Sequence, residues 1–413
     1  MERRVVITAE AAITPIGHGK KDIFNNLTKG ISGVKKITKR DDLLGKYLHS
    51  KVYGLIDYEI PYEFSRKFTK TLGPVGYYAC QVAKEVIEQA GLDKEFLSSG
   101  RLGVAFGSIH GSPTVQASIY EAFYDTSKNG YAKINATDYL KSMAHTTAVN
   151  ITRMFEIKGR VISSCTACTT ASQSIGYGYE FIKYGMQDAM ICGAADEYNS
   201  TTIAVFDNLL ACSTAYNETP ELTPRPFDVK RDGMVIGEGA GALLLEEYDH
   251  AKKRGARILA EVIGFSCTNN GGDMILPNVD GIRRTIKTGL ESAKINPDDV
   301  DFISAHATST KVGDIMEAQA IQAEYSGRQP HVAGLKSYVG HTMSACGAIE
   351  IIFTLYMMQE GVIAPTLNLE EVDPRCNMIN HITKLHEEKI NIASIQNFAF
   401  GGVNTSLFIK KWN

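Results

Sequence analysis

The sequence predicts an α/β fold made of two similar halves. Three observations carry that reading. Short apolar runs that read as strands alternate with longer amphipathic segments that read as helices, the pattern of an α/β chain. The 37 glycines gather at the joints, where tight strand-to-helix turns and close backbone approach need them. The second half of the chain also repeats the plan of the first.

In order, residues 4–8 read as a first strand, 22–29 as a helix, and 76–90 as a longer helix with Ala79, Val82, Ala83, Val86 and Ile87 on one face. The apolar run 103–107 is a buried strand. Residues 109–150, rich in Tyr, Ser, Thr and Asn, read as a long excursion with short helices, the kind of segment that makes lids or subunit contacts. A strand-like approach at 159–162 ends in small residues around Cys168. A helix is expected just after it, because Ala171, Ile175, Tyr179 and Ile182 recur at helical spacing. Strands follow at 188–193 and 241–246, the second after the Gly-rich run 233–241. Beyond residue 250 come a strand at 258–265, a helix at 281–293, a strand at 301–305, helices at 314–325 and 347–359, and strands at 392–398 and 404–410.

Helix 76–90 and the strand ending at Ser108 echo helix 281–293 and the strand ending at Thr308. Gly237–Gly241 before an apolar run echoes Gly401–Asn404 before another. The polar stretch 249–255 is the expected junction, dividing the chain into 1–250 and 251–413. Sites tend to fall between such halves.

Composition is that of an ordinary soluble globular chain, with 44% apolar and 22% charged residues. A net charge of −3 argues against nucleic acid or a membrane surface as a general partner. The first residues run straight into a strand with no apolar stretch, so no secretory signal is expected. The most apolar helix, 348–358, contains Glu350 and is too short to span a bilayer. Together with eight scattered cysteines read as reduced thiols, mostly core filler, this predicts a cytoplasmic protein.

Cys168 is the leading candidate for chemistry. A cysteine in the first turn of a helix faces unpaired N–H groups and the positive end of the dipole, which favours the thiolate. Two plainer readings compete: a buried core thiol, or a redox pair with Cys165 in a CxxC arrangement. A zinc site would need a second ligand pair at a set spacing, and none occurs, so no metal is expected. His306 ends an apolar strand and His341 precedes a helix, so both sit at turns of the kind that line sites in α/β proteins. Lys336 lies near His341, and Asp314, Glu317 and Glu350 are placed to orient basic groups. A cysteine can hold an acyl group as a thioester. Two neutral imidazoles aimed at one carbonyl oxygen would stabilise an enolate. That combination suits carbon–carbon bond formation between thioesters.

Five ordered motifs sharpen this. They are Thr166-Ala167-Cys168-Thr169; Arg225-Pro226-Phe227-Asp228 with 231–241; Ala305-His306-Ala307-Thr308-Ser309-Thr310 with Gly313-Asp314 and Glu317-Ala318; Leu335-Lys336-Ser337 with Gly340-His341, Gly347-Ala348 and Glu350; and 397–404. Over nearly its whole length the chain resembles the β-ketoacyl-acyl carrier protein synthases of the thiolase superfamily, the elongating type II condensing enzymes. The resemblance implies a thiolase-like five-layered α/β/α/β/α fold. It implies that Cys168 takes an acyl chain from acyl carrier protein, with the N–H groups of Cys168 and Phe400 as oxyanion hole. His306 and His341 would hold the malonyl thioester carbonyl while CO2 leaves, and the carbanion would attack the acyl group to give a 3-oxoacyl product. Lys336 would fix the histidines, with Glu317 and Glu350 as its charge partners, and Phe400 would act as a gate. Gly401, Gly402, Thr308, Thr310 and Phe398 would contact substrate. Arg66, Lys67 and Lys70 would meet the acidic carrier protein. No metal or organic cofactor is implied. The partner would be an identical subunit or a related ketosynthase-like one, with the 109–150 excursion reaching toward its pocket.

The chain departs from the family at Ala9 and Ala11, at Ala307 where Gly is frequent, at Val403 where Thr is frequent, and across 266–277, beside the pocket. These departures predict a specialised product, polyene or polyketide-like, rather than bulk fatty acid. Four alternatives predict different residues. A chain-length-determining subunit would lack the nucleophile. A thiolase would carry a second cysteine in 398–404. A starter-unit synthase would have Asn for one histidine. A CxxC oxidoreductase would depend on Cys165.

Overall fold

The computed structural model describes residues 2–37, 47–126 and 130–412. Its first half is a five-stranded sheet of β1 (Val5–Thr14), β2 (Leu102–Gly107), β3 (Val161–Ile162), β4 (Ala189–Asp196) and β5 (Gly239–Glu247), in the order β1-β5-β4-β2-β3. The second half uses β6 (Ala260–Asn269), β7 (Phe302–Ser304), β8 (His331–Ala333), β9 (Val362–Ile363), β10 (Asn380–His381), β11 (His386–Glu387), β12 (Ile392–Phe398) and β13 (Val403–Lys411). Its main sheet runs β6-β13-β12-β7-β8, with β10 added at the edge, while β9 and β11 form a separate antiparallel pair. Step for step the two orders correspond. Each half has two antiparallel pairings followed by two parallel ones. β1 and β6 join the sheets through Val5–Ile7 against Ala260–Val262.

The helices repeat in the same way. Outside the first sheet lie α2 (Pro74–Ala90) and α3 (Thr146–Phe155), after the smaller α1 (Gly19–Thr28). Outside the second lie α6 (Val279–Ala293) and α7 (Gly313–Glu324). Between the sheets, α4 (Thr170–Lys183) packs against α8 (Cys346–Glu360), and α5 (Ser200–Asn208) brings Phe206 to the cavity wall. Five layers result, with one apolar core in the middle and one under each outer helical layer. Every residue of α8 from Cys346 to Met358 is buried, as expected of a helix enclosed on all sides. α8 meets α4 closely because Gly347 has no side chain; a Cβ there would lie 2.1 Å from Ser172 Oγ.

Most predicted elements are present, several of them longer. β1 continues six residues past the predicted strand, paired to β5 from Val5–Glu247 to Ile13–Ala240. Thr8 and Glu10 interrupt the apolar run, but both are buried. A central strand covered on both faces need not alternate. Sequence reading misses β8, only three residues long, and α5, whose start is capped by the Asn199 side chain accepting from the Thr201 N–H at 2.9 Å. Within the 109–150 excursion, outside 127–129, helices Pro113–Tyr124 and Ala136–Lys141 precede α3. Not every other cysteine is core filler, because Cys165 is exposed and Cys267 half-buried. Among the described residues no helix is long and apolar enough to cross a membrane.

Glu10 shows how the core accommodates a carboxyl. Tyr356 Oη donates to it at 2.6 Å, and burial pushes its pKa up to about 7. The folded chain therefore keeps a proton there that the unfolded chain releases near pH 4.5. This contribution is favourable at low pH and is lost as pH rises toward 7. Glu10→Gln lacks the loss, so its stability relative to wild type is expected to improve by up to about 3 kcal/mol between pH 4.5 and 8. Denaturant midpoints of both proteins at the two pH values check this; a pH-independent difference would count against a protonated Glu10.

Candidate active site

The turn that carries Cys168 is built from the end of β3 and the start of α4. Residues Ala167–Thr169 form a short 3-10 turn leading into α4, and Ala167 holds φ +49°. A non-glycine residue in the left-handed region costs about 1–2 kcal/mol, so the turn is strained just before Cys168. Cys168 is buried, with only 8% of its surface accessible. Burial pushes its thiol up to about 11, against the opposing Lys336 charge and its own backbone N–H. The expectation of a resting thiolate is therefore corrected. The helix start is where it was predicted, but desolvation outweighs it, and the proton must leave as the thiol attacks.

His306 follows β7 on a loop that bends sharply, with Ala307 at φ +42° and Ser309 at φ +67°. Glu317 on α7 holds that loop, its two carboxylate oxygens accepting the N–H groups of His306 and Ala307 at 2.7 Å each. Burial pushes Glu317 up to about 8. Asp314 accepts the N–H groups of Phe227 and Ser309, at 2.8 and 3.0 Å, and faces Arg231 at 3.6 Å. Glu317 and Asp314 thus act mainly on backbone. Electrostatically Glu317 is within range of Lys336, but the ion-pair partner of Lys336 is Glu350 alone among the described residues.

His341 is gripped by the Gly-rich 233–241 stretch. Its N–H donates to the Val235 carbonyl at 2.7 Å, and its carbonyl accepts from the Gly237 N–H at 2.9 Å. No side chain fits at Gly237, where a Cβ would lie 2.3 Å from the Val339 carbonyl. The Met343 N–H donates to His341 Nδ1 at 3.1 Å, which puts the ring proton on Nε2. Among the described residues that Nε2 is buried without a partner, as is Nδ1 of His306. The two rings meet edge to face with centroids 5.3 Å apart. Burial first, then the Lys336 charge, hold both histidines well below pH 6.5, so both are neutral. Cys168 Sγ and one nitrogen of each ring lie within 4.8 Å of one another.

Beneath this triad runs a buried polar chain. Lys336 Nζ pairs with Glu350, whose other oxygen accepts from Asn397 Nδ2 at 2.8 Å; Asn397 Oδ1 in turn accepts from Ser172. Burial works against the Lys336 charge, but Glu350 above all, together with Cys346 and Glu317, outweighs it and holds the lysine pKa above its ordinary value.

A cavity of about 690 Å3, counting its open mouth, leads to the triad. Thr308, Thr310, Phe398, Phe400 and Glu317 line it, as do Phe206, Met234, Asn270, Ile275, Pro277, Ile282 and Asn404. The Phe400 ring packs on Phe206, centroids 5.4 Å apart. Gly401 and Gly402 are not on the wall. At φ +84° and +70° they turn the loop behind Phe400. The Gly401 N–H donates to the Met274 carbonyl at 2.8 Å, and the Gly402 carbonyl accepts from the Asn270 N–H at 2.9 Å. The unusual 266–277 segment therefore both lines the mouth and holds the Phe400 loop.

Two family models match along most of the chain. The N-terminal domain of β-ketoacyl synthases matches residues 2–251, and the C-terminal domain of β-ketoacyl synthases matches 259–370. The chain belongs to the β-ketoacyl synthase family. It is accordingly an acyltransferase of the 3-oxoacyl-acyl carrier protein synthase class, condensing an acyl group with malonyl-acyl carrier protein. It is 33% identical to 3-oxoacyl-[acyl-carrier-protein] synthase 1 of Haemophilus influenzae, with 100% of each chain covered. A β-ketoacyl synthase crystal structure from Burkholderia phymatum superposes with a TM-score of 0.94 at 39% identity, covering 100% of both chains. The ishigamide ketosynthase/chain length factor superposes at 0.90 with 29% identity and the same coverage.

Sequence reading names Cys168, His306 and His341, which the fold brings together, and part of the cavity wall, but not all of it. Phe206 and Ile282 are apolar residues with no local pattern marking them as site residues, whereas Met234 lies in the quoted 231–241 motif and Ile275 and Pro277 in the stretch expected beside the pocket. Asn397 lies inside a quoted motif, where only its hydrogen bonds reveal what it does.

Proposed function

We propose that Cys168 carries the acyl chain and that His306 and His341 activate the malonyl unit. The observation that carries this reading is the convergence of one buried thiol and two neutral imidazoles at one end of a largely apolar cavity. The Cys168 and Phe400 N–H groups receive the developing oxyanion as the acyl group transfers to sulfur. Malonyl thioester then enters. The histidines donate to its carbonyl oxygen as CO2 leaves, and the enolate carbon attacks the thioester on Cys168. Neutral rings suit this step, since they donate without protonating the carbanion. Lys336 and Glu350 set the electrostatics, Glu317 holds the His306 loop, and Thr308, Thr310 and Phe398 shape the malonyl side of the cavity. Residues 1–250 supply the nucleophile and 251–413 the histidines, a division supported by the repeated strand order.

The test is intact-protein mass spectrometry. Mixing with a panel of acyl-carrier proteins should add one acyl mass, and malonyl-carrier protein should then remove it and yield a 3-oxoacyl product. Adducts that form but never convert would sink the histidine assignment.

Acyl carrier protein docks, in this reading, on the basic surface of Arg66, Lys67 and Lys70, all exposed. Arg153 joins them from α3, its guanidinium donating to the Lys67 carbonyl at 2.9 Å and lying 5.5 Å from the Phe68 ring. Lys67→Glu with Arg153→Glu is expected to raise the KM for carrier protein about tenfold or more at low salt, with kcat nearly unchanged and the difference shrinking at high salt. Steady-state kinetics at two ionic strengths decide it.

The working unit is a homodimer. Its support is the exposed outer edge of the first sheet, with Val161 44% exposed on β3, and the exposed aromatics Tyr120, Phe123 and Tyr139 of the excursion. Sedimentation of the purified chain as a monomer would favour a heterodimer with a related subunit. The 266–277 segment at the mouth supports a specialised acyl chain; ordinary saturated chains preferred at every length would overturn that.

A further inference from the structure

We propose that His331, His386 and Glu388 form a second site, one that takes a single divalent transition-metal ion of the zinc class. It lies at the edge of the second sheet and uses none of the residues of the condensing cavity. Glu388 Oε2 sits 2.9 Å from His331 Nε2 and 3.0 Å from His386 Nε2. All three donor atoms lie within 4.8 Å of one another. Ligand atoms around tetrahedral zinc are about 3.3 Å apart, given bonds of about 2.0–2.1 Å. The groups therefore need only small shifts to close on an ion. Two imidazoles and a carboxylate are a zinc ligand set, with a fourth position left for water.

The placement of the three residues follows from the strands. His386 and Glu388 are two residues apart on one extended segment, so their side chains share a face. The segment is held by pairing of β11 with β9 and by the Glu388 N–H donating to the Gly361 carbonyl at 3.0 Å. His331 opens β8, next to Asn380 of β10 in register, and the Asn380 side chain lies 3.0 Å from His331 Nδ1. That contact orients the ring, as partners behind a ligating imidazole do. With a metal on Nε2 the ring proton moves to Nδ1, and Asn380 presents its carbonyl oxygen there by turning its amide.

The degree of exposure also fits a site open on one side. The side chains of His331, Glu388 and His386 are 19%, 35% and 46% accessible. Without an ion, one carboxylate oxygen accepts from both rings. With one, the same three groups would tie the 386–388 segment to the sheet edge.

The test uses the full chain with zinc chloride as probe, in a Cys168→Ala background. That substitution removes the thiol of the one other three-donor cluster found among the described residues, Cys168 with His306 and His341. Equilibrium dialysis followed by elemental analysis should give one zinc per chain. His386→Ala, His331→Ala and Glu388→Gln should each weaken binding about tenfold or more. Zinc should raise the melting temperature of the Cys168→Ala protein and leave that of its His386→Ala derivative unmoved. His386 is largely exposed, so its loss leaves the fold intact, and circular dichroism checks this. No zinc bound to Cys168→Ala with zinc chloride in excess over protein would overturn the proposal. So would binding that survives loss of either histidine unchanged.

Discussion

Cys168→Ala is expected to abolish acyl loading and to lower overall condensation by on the order of 10^4-fold or more, as removal of a covalent nucleophile does elsewhere. The expectation follows from the geometry of the cavity. Among its lining residues, Cys168 is the one that carries a thiol. The variant also separates the two half-reactions. It leaves His306 and His341 neutral and adjacent, so malonyl-carrier protein should still lose CO2, giving acetyl-carrier protein with no condensed product. His341→Ala should behave in the opposite way. It keeps the thiol and so still loads acyl groups, but it loses the Nε2 proton aimed into the site and stalls at decarboxylation. Intact mass and CO2 release, measured on both variants, test the pair of outcomes. An acyl adduct that persists in Cys168→Ala would move the nucleophile elsewhere, and decarboxylation lost equally in both would tie the two steps together.

The same contrast explains what could be read from the sequence. The alternation of strands and helices and the repeated plan were legible because they are periodic. Cys168, His306, His341 and Lys336 were legible because each sits at a turn between elements, in a motif with ordered neighbours. The charge state of the thiol was not. A helix start is visible in a sequence, but burial of the group beneath α8 and the second sheet depends on packing between distant segments, and burial decides the pKa. Glu317 and Glu350 were both found as acids near the site, but sequence spacing does not separate them. α7 aims one at the backbone of the His306 loop, while α8 aims the other at Lys336. The His331, His386 and Glu388 cluster had no motif, since its members come from two strands that meet only in the fold.

Lys336→Met is expected to be the most damaging single change outside the triad. Lys336 and Glu350 are each 2% exposed, paired in the heart of the middle layer. Removing the ammonium leaves a buried carboxylate with one remaining donor, Asn397. Breaking a buried pair from one side costs about 3–5 kcal/mol, whereas replacing both partners by apolar groups of similar size costs far less. Lys336→Met/Glu350→Leu should therefore recover much of the stability lost in Lys336→Met. Its activity should not recover, because the charge has a second role. After burial, Lys336 is the next influence holding His306 and His341 neutral, and it is the main one easing deprotonation of Cys168. Without it the histidine pKa values rise, so the rings begin to protonate at a higher pH and the acidic limb of kcat/KM moves up. The thiol pKa rises as well, which slows acyl loading on the basic side. Denaturant unfolding of the wild type, the single and the double variant tests the first claim, and pH–rate profiles of the double variant test the second. A Lys336→Met protein within about 1 kcal/mol of wild type, well short of the expected cost, would mean that the pair contributes no net stability. An unshifted acidic limb in the double variant would mean that burial alone keeps the imidazoles neutral.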